Sequence, residues 1–216
     1  MARQINALIT GANRGIGRAL MQHYQAAGDT VIGTTRKPAP GLVTLDVTDA
    51  TGQKALGQSI ATLDLLICNA GVYPDRGQRL EDGYAPALWA EGFNTNVLGV
   101  FLSVQSLLPA LRRAQGKIAI ISSQMASDTT APGGSYIYRA SKAAALNLGR
   151  NLASDLKSQG IAVGIYHPGW VQTDMGGAGA DISEAQSAQG LATRFAALSL
   201  ATTGCFETWD GRAHPF

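Results

Sequence analysis

In the stretch SYIYRASKAA, Tyr138 and Lys142 stand four residues apart, on one face if the segment is helical. An ammonium beside a phenol favours the phenolate and lowers a tyrosine pKa from its ordinary value near about 10, which gives a hydroxyl able to donate or accept a proton close to neutral pH. The pair is a candidate proton-transfer unit, although the same spacing also occurs on ordinary exposed helices. Upstream, KIAIISS closes an apolar run with Ser122 and Ser123, where a hydroxyl could bond a substrate oxygen. Two serines equally suit a plain turn. Tyr136 points elsewhere on the helix and reads as a pocket wall or a packing residue.

A second constellation is TGANRGIG, residues 10–17, directly after the first apolar run INALI. Gly11 allows a tight turn off a strand, Gly15 lets the backbone approach a pyrophosphate, and Gly17 lets the following helix pack closely. The helix N-terminus then offers unpaired N–H groups and a positive dipole end to phosphates. The spacing is G-x-x-x-G-x-G, not G-x-G-x-x-G. Arg18 and Ala19 follow Gly17 where a nucleoside-triphosphate loop needs Lys and Ser or Thr. A glycine turn without a ligand is the alternative. The second strand ends TTR, with Thr35 where an acid would hold the ribose of NAD and then Arg36. Arginine matches phosphate geometry bidentately, so Arg36, with Arg14 nearby, favours NADP(H) over NAD(H). A solvated surface arginine is the competing reading of Arg36.

Those residues need a scaffold. Strand-type runs fall at 5–10, 30–35, 42–45, 63–68, 117–121 and 161–166, and continuously apolar strands belong to a parallel sheet covered on both faces. Between them, 94–114 carries an apolar stripe of Val97, Val100, Val104, Leu107 and Leu111, a long amphipathic helix. The alanine-rich segment 136–158 is apolar beyond one stripe, as for a helix covered on two sides, which is compatible with a homo-oligomer. The alternation predicts a single-domain α/β fold over 1–216, a doubly wound parallel sheet. Only RKPAPG, residues 36–41, joins the second and third strand patterns, where a parallel crossover normally takes about a dozen residues. Either a helix is missing there or one strand is misassigned.

Composition narrows the function classes. The chain has 216 residues, 45 % of them hydrophobic and 15 % charged, enough for a core. A net charge of +2 without a basic cluster gives no reason to expect nucleic acid or a membrane surface as partner. Cys68 and Cys205 lack a disulfide-framework spacing, and the N-terminus does not resemble a secretory signal, so a cytoplasmic location is expected. His23, His167 and His214 show no ligand spacing, so no metal is expected.

With TGANRGIG, LDV at 45–47, CNAG at 68–71, FNTNVLGVF at 93–101, IISS at 120–123, YRASK at 138–142 and HPGWVQTDM at 167–175, the sequence resembles the short-chain dehydrogenase/reductase superfamily over essentially its whole length. Its ending, GCFETWDGRAHPF, resembles the compact carbonyl-reductase-like branch that includes the C-factor signalling proteins. The resemblance implies an NADP(H)-dependent reductase of aldehydes or ketones, or the reverse reaction, acting on a small molecule. Tyr138 would be the catalytic acid, Lys142 would lower its pKa and hold the nicotinamide ribose, Ser123 would polarise the substrate oxygen, and Asn96 would order the proton relay. On the cofactor side it implies Gly11, Asn13, Arg14, Gly15, Ile16, Gly17 and Arg36, with Asp46 and Val47 near the adenine. Asn69, Ala70 and Gly71 would lie along the ribose, and Pro168, Gly169, Val171 and Thr173 around the nicotinamide. Ser123 and Tyr138 are 15 positions apart, with DTTAPGGS at 128–135 the insertion, so Ser127 is a minor rival to Ser123. Residues 174–200 would supply a substrate lid, with Gln124, Tyr136, Trp170 and Met175 as candidate pocket walls. A nucleotide-binding regulatory or signalling protein is the alternative; an intact Asn96, Ser123, Tyr138 and Lys142 set favours the enzyme.

Overall fold

In the computed structural model, which describes residues 3–216, the apolar runs become β1 (Asn6–Ile9), β2 (Thr30–Thr35), β3 (Val43–Thr44), β4 (Leu65–Cys68), β5 (Lys117–Ile121) and β6 (Ala162–His167). A seventh strand, β7 (Phe206–Thr208), lies in the GCFETW segment, where no strand is expected from the sequence pattern. All pair in parallel in the order β3-β2-β1-β4-β5-β6-β7. Helices α1 (Gly15–Ala26), α2 (Ala50–Ser59), α3 (Pro86–Phe93), α4 (Gly99–Ala114), α5 (Tyr136–Lys157) and α6 (Glu184–Ala197) complete the fold. Strands β4 and β6 are buried along their whole length, the signature of helices on both faces. One core cluster joins Leu66, Ile118, Ile120 and Ile165 to Val104, Leu107 and Leu111 of α4. The other joins Ile9, Ile67 and Tyr166 to Leu20 of α1 and to Leu191 and Phe195 of α6.

The short RKPAPG connection is explained by the size of β3. Val43 pairs with Thr34 and Thr44 with Thr35, so the chain moves sideways at the C-terminal end of β2 and never returns along the sheet. No helix is needed, and the strand shrinks to two residues. The helix expected from 94 begins earlier: α3 runs through a π-turn, Asn94–Leu98, into α4. The run Pro86–Ala114 is long and apolar enough in composition for a membrane span, but its apolar stripe packs on the sheet.

The segment 174–200 divides. Its second half is largely α6, opened by a capping box in which Ser183 and Gln186 satisfy each other's backbone N–H, and packed against α1. Ser187, Ala188, Leu191 and Phe195 are buried there, so one face of α6 belongs to the core, and 174–183 and 198–200 remain outside the helix.

Candidate active site

The chain order reverses between β1 and β4, and in open parallel sheets the ligand crevice lies beyond the C-terminal ends of the strands at such a reversal. On one side is the glycine turn. Gly11 and Gly15 adopt left-handed backbone, φ +68° and +58°, which glycine takes at no steric cost. A Cβ at Gly17 would lie 2.3 Å from the Gly11 carbonyl oxygen and 2.4 Å from Asn69 Nδ2, so helix α1 starts where only glycine fits. Asn69 donates to the carbonyls of Thr10 and Gly11, both at 3.0 Å, and Thr10 Oγ1 accepts the Asn69 and Ala70 amides. Asn69 therefore holds the turn in shape with both hydrogens of its side-chain amide. Arg14 occupies the N-cap of α1 in extended conformation without capping it, so no side-chain cap claims the first N–H groups of the helix.

The residues expected around a bound nucleotide fall in the glycine turn and at or after the ends of β2, β4 and β6. Asn13 is exposed, Ile16 half-buried, and a Cβ at Gly15 would touch Thr173 after β6. Arg36 is exposed at the end of β2; beside it Asp46, whose carboxyl is held below the usual range mainly by the Thr48 amide and more weakly by Arg36, caps its own turn. Val47 is buried against Gly99. From Asn69 the chain continues to Gly71, where a Cβ would sit 3.4 Å from Lys142 Nζ. Beyond β6, Pro168 accepts a bond from Ser187 (2.7 Å), Gly169 is left-handed, and Val171 bridges to Ile182. Arg14 is engaged with Asp174 at 2.6 Å, an exposed pair of the kind that contributes little to stability.

On the other side, α5 presents Tyr138 and Lys142, 8 % and 5 % exposed, on the face turned to the end of β5. Ser122 Oγ donates to the Lys142 carbonyl (3.0 Å) and Lys142 Nζ to the Ile121 carbonyl (2.9 Å), so strand and helix are sewn together. Ser122 is thereby structural; Ser123 accepts the Met125 amide (3.1 Å) at the start of a short turn and lies near enough to the Tyr138 phenol to lower its pKa. Ser127 bonds Thr129 and the Phe216 carbonyl, which occupies the rival hydroxyl. Burial pushes the Tyr138 phenol up to about 12, against the lowering offered by Ser123 and by the Arg76 guanidinium. This differs from the expectation that Lys142 would lower it. Burial pulls Lys142 itself down to about 8, and its ammonium is spent on Ile121.

Asn96, in the π-turn, ties the loop after β4 to α5 through its side chain. Its Oδ1 accepts from the Val72 amide (2.8 Å), and Nδ2 donates to the Val72 carbonyl (3.0 Å) and to Ser141 Oγ (2.9 Å). The loop after β4 carries groups that no sequence motif singles out. The Tyr73 ring stacks on Tyr138 with centroids 4.3 Å apart and its hydroxyl bonds Ser135; the Arg76 guanidinium lies over the Tyr73 ring, 5.2 Å from its centroid, and reaches the Met175 carbonyl. Asp75, 1 % exposed, accepts from the amides of Ile137 (2.8 Å) and Tyr138 (3.2 Å). Only the turn chemistry of PDRG hints at it. Tyr136 is exposed against Tyr84, and Trp170 is half exposed with its Nε1 on the Gly176 carbonyl.

A glycine turn at the reversal of a parallel sheet, facing a buried tyrosine across the crevice, defines an α/β protein of the dinucleotide-binding type. The chain belongs to the short chain dehydrogenase family, whose model matches residues 5–182. The C-signal protein of Myxococcus xanthus is 34 % identical over 167 residues, 76 % of this chain and 99 % of that one. The 3-oxoacyl-[acyl-carrier-protein] reductase of Escherichia coli is 32 % identical over 188 residues, 78 % of this chain and 74 % of that one. Among solved structures, the NADPH-bound carbonyl reductase from chicken fatty liver superposes with a TM-score of 0.89 at 31 % identity, over 100 % of both chains.

Proposed function

We propose that this protein is an NADP(H)-dependent oxidoreductase that reduces an aldehyde or ketone to the alcohol, or runs the reverse, with Tyr138 as acid and base. The observation that carries the reading is the meeting of Ser123, Tyr138 and Lys142 at one end of a crevice whose other end is the glycine turn. The residues fit a dinucleotide: the N-terminus of α1 has no side-chain cap, and the turn is closed to any side chain at Gly17.

Gly11, Gly15 and Gly17 with the α1 amides would hold the pyrophosphate, and Arg36 and Arg14 the 2′-phosphate, Arg14 leaving Asp174 to do so. Asp46 and Val47 would meet the adenine, Ala70 and Gly71 the ribose, and Pro168, Gly169, Val171 and Thr173 the nicotinamide end. The dinucleotide supplies the hydride when bound. Ser123 orients the substrate oxygen, and Tyr138, protonated at neutral pH with its phenol near about 12, donates the proton to it. Lys142 holds the ribose hydroxyls when it leaves the Ile121 carbonyl. Asn96 contributes by clamping the loop after β4 to α5, so that Tyr138 and Lys142 keep their geometry. Residues 174–183 act as the lid, and Tyr136 and Trp170 give the site aromatic walls.

The test is oxidation of NADPH and of NADH against a panel of aldehydes and ketones, with wild type and Tyr138→Phe. NADPH should be preferred, and the phenylalanine variant should lose roughly 10²- to 10⁴-fold in kcat. Absence of any carbonyl reduction, or a variant as active as wild type, overturns the reading. A nucleotide-binding signalling protein without turnover is then the second reading, favoured by the similarity to the C-signal protein.

A further inference from the structure

We propose that Asp75 is a positioning residue for Tyr138, a buried carboxylate from the loop after β4 that caps α5 in place of a local residue and so fixes where the phenol stands. The inference rests on the reading of Tyr138 as the acid. At the start of α5, Ser135 is the N-cap residue, yet it has left-handed backbone (φ +51°), makes no side-chain cap, and its hydroxyl is turned to Tyr73. The helix therefore has no acceptor of its own for its first amides. Asp75 supplies both oxygens from more than 60 positions upstream, one to Ile137 and one to the amide of Tyr138 itself. A carboxylate there is favoured by the helix dipole, and bonds from amides to a charged acceptor are the stronger kind.

The placement makes this more than a fold contact. Asp75 grips the peptide of the residue whose side chain does the chemistry, so any displacement of the helix start passes directly to the phenol. It also ends a short span whose other end, Val72, is clamped by Asn96, and Tyr73 lies between the two anchors, stacked on Tyr138. Loss of Asp75 frees both the backbone beneath Tyr138 and the ring that covers it. The groups facing the phenol are Ser123 from the end of β5, Tyr73 and Arg76 from the same loop as Asp75, and Lys142 one turn along α5.

The experiment compares full-length wild type, Asp75→Asn and Asp75→Ala. It measures kcat and KM for NADPH-dependent carbonyl reduction, the ionisation of Tyr138 by NMR of ¹³Cζ-labelled tyrosine (assigned with Tyr138→Phe), and thermal unfolding. Asp75→Asn should lose about tenfold or more in kcat with KM for NADPH little changed, because misplacement of a catalytic group by an ångström can cost about 10²-fold. At about pH 10.5, just above the ordinary tyrosine pKa, the Tyr138 signal should remain that of the phenol in wild type and become largely phenolate in Asp75→Asn, as burial is relieved. Asp75→Ala should go further in both. Folded variants that lose thermal stability alone, with kcat and the Tyr138 ionisation unmoved, overturn the proposal and leave Asp75 a structural cap. If Asp75→Ala does not fold, Asp75→Asn, which keeps one acceptor in the same shape, decides between the two outcomes. Should wild type reduce no carbonyl, the proposed reaction fails, and the NMR comparison still decides for or against positioning.

Discussion

The two walls of the crevice are built by different means. The glycine-turn wall is backbone against backbone: Gly17 against the Gly11 carbonyl, Ala12 bonded to Thr34, and Asn69 sewing Thr10 and Gly11 to the end of β4. Everything in it follows from small residues within a few positions and from one asparagine. The wall that carries Tyr138 is held by side chains brought from far along the chain, Asp75, Tyr73 and Asn96 on one side and Ser122 on the other. On the proposed function, the first wall has to recognise a shape common to many ligands, for which repeated backbone geometry is enough. The second has to hold one hydroxyl in one place, which takes contacts that no short motif contains.

If the contrast is right, the first wall should tolerate no added atom. Gly17→Ala sets a methyl carbon against a carbonyl oxygen, and overpacking of that kind costs about 1–3 kcal/mol or more. NADPH affinity and the unfolding temperature should fall together; a variant that binds normally would show that the backbone contact is not decisive. A comparable effect, confined to the choice of cofactor, is expected at Arg36, an exposed side chain at the end of β2. Arg36→Asp should weaken NADPH against NADH by roughly 10- to 100-fold, since a charge-assisted bond contributes about 1.5–3 kcal/mol. Unchanged selectivity in competition binding would remove Arg36 from the phosphate site.

The smallest effect sharpens the second wall. Lys142 has its pKa drawn down to about 8 by burial, so between about pH 8 and the ordinary lysine value the unfolded chain binds a proton that the folded chain has released. Stability therefore rises with pH across that window, by at most about 1.4 kcal/mol per pH unit. Subtracting the same curve for Lys142→Met, from thermal unfolding at pH 8 and 9, should leave that positive slope. A flat difference would mean that the ammonium is not desolvated.

The same contrast governs how much of the molecule is legible in its sequence. The strands at 30–35 and 117–121 and the helix from 136 are legible because each buries apolar positions at its own period. Strand β7 is not, because three residues at a sheet edge leave no period to find. Helix α6 is obscured although Ser183 and Gln186 spell a capping box, since the glycine-rich stretch before it suggests a lid. In the site, local spacing offers the glycines, Ser123, Tyr138 and Lys142 only as candidates, and it takes the resemblance of the whole motif series to assign them roles. Asp75 and Tyr73 do not, because what they touch lies more than 60 residues away. The partner of Lys142 is hidden for a related reason: helical spacing gives its proximity to Tyr138, but not the bond from its ammonium to the Ile121 carbonyl on the neighbouring strand.

The two edges of the sheet bear on how copies of the chain can meet. One edge is β3, only two residues long, and the other is β7, whose Glu207 is already bridged antiparallel by Ala213 from the tail. Neither offers a run of free amides and carbonyls on which another strand could extend the sheet. Short or already bridged edges of this kind work against the edge-to-edge pairing that seeds aggregation.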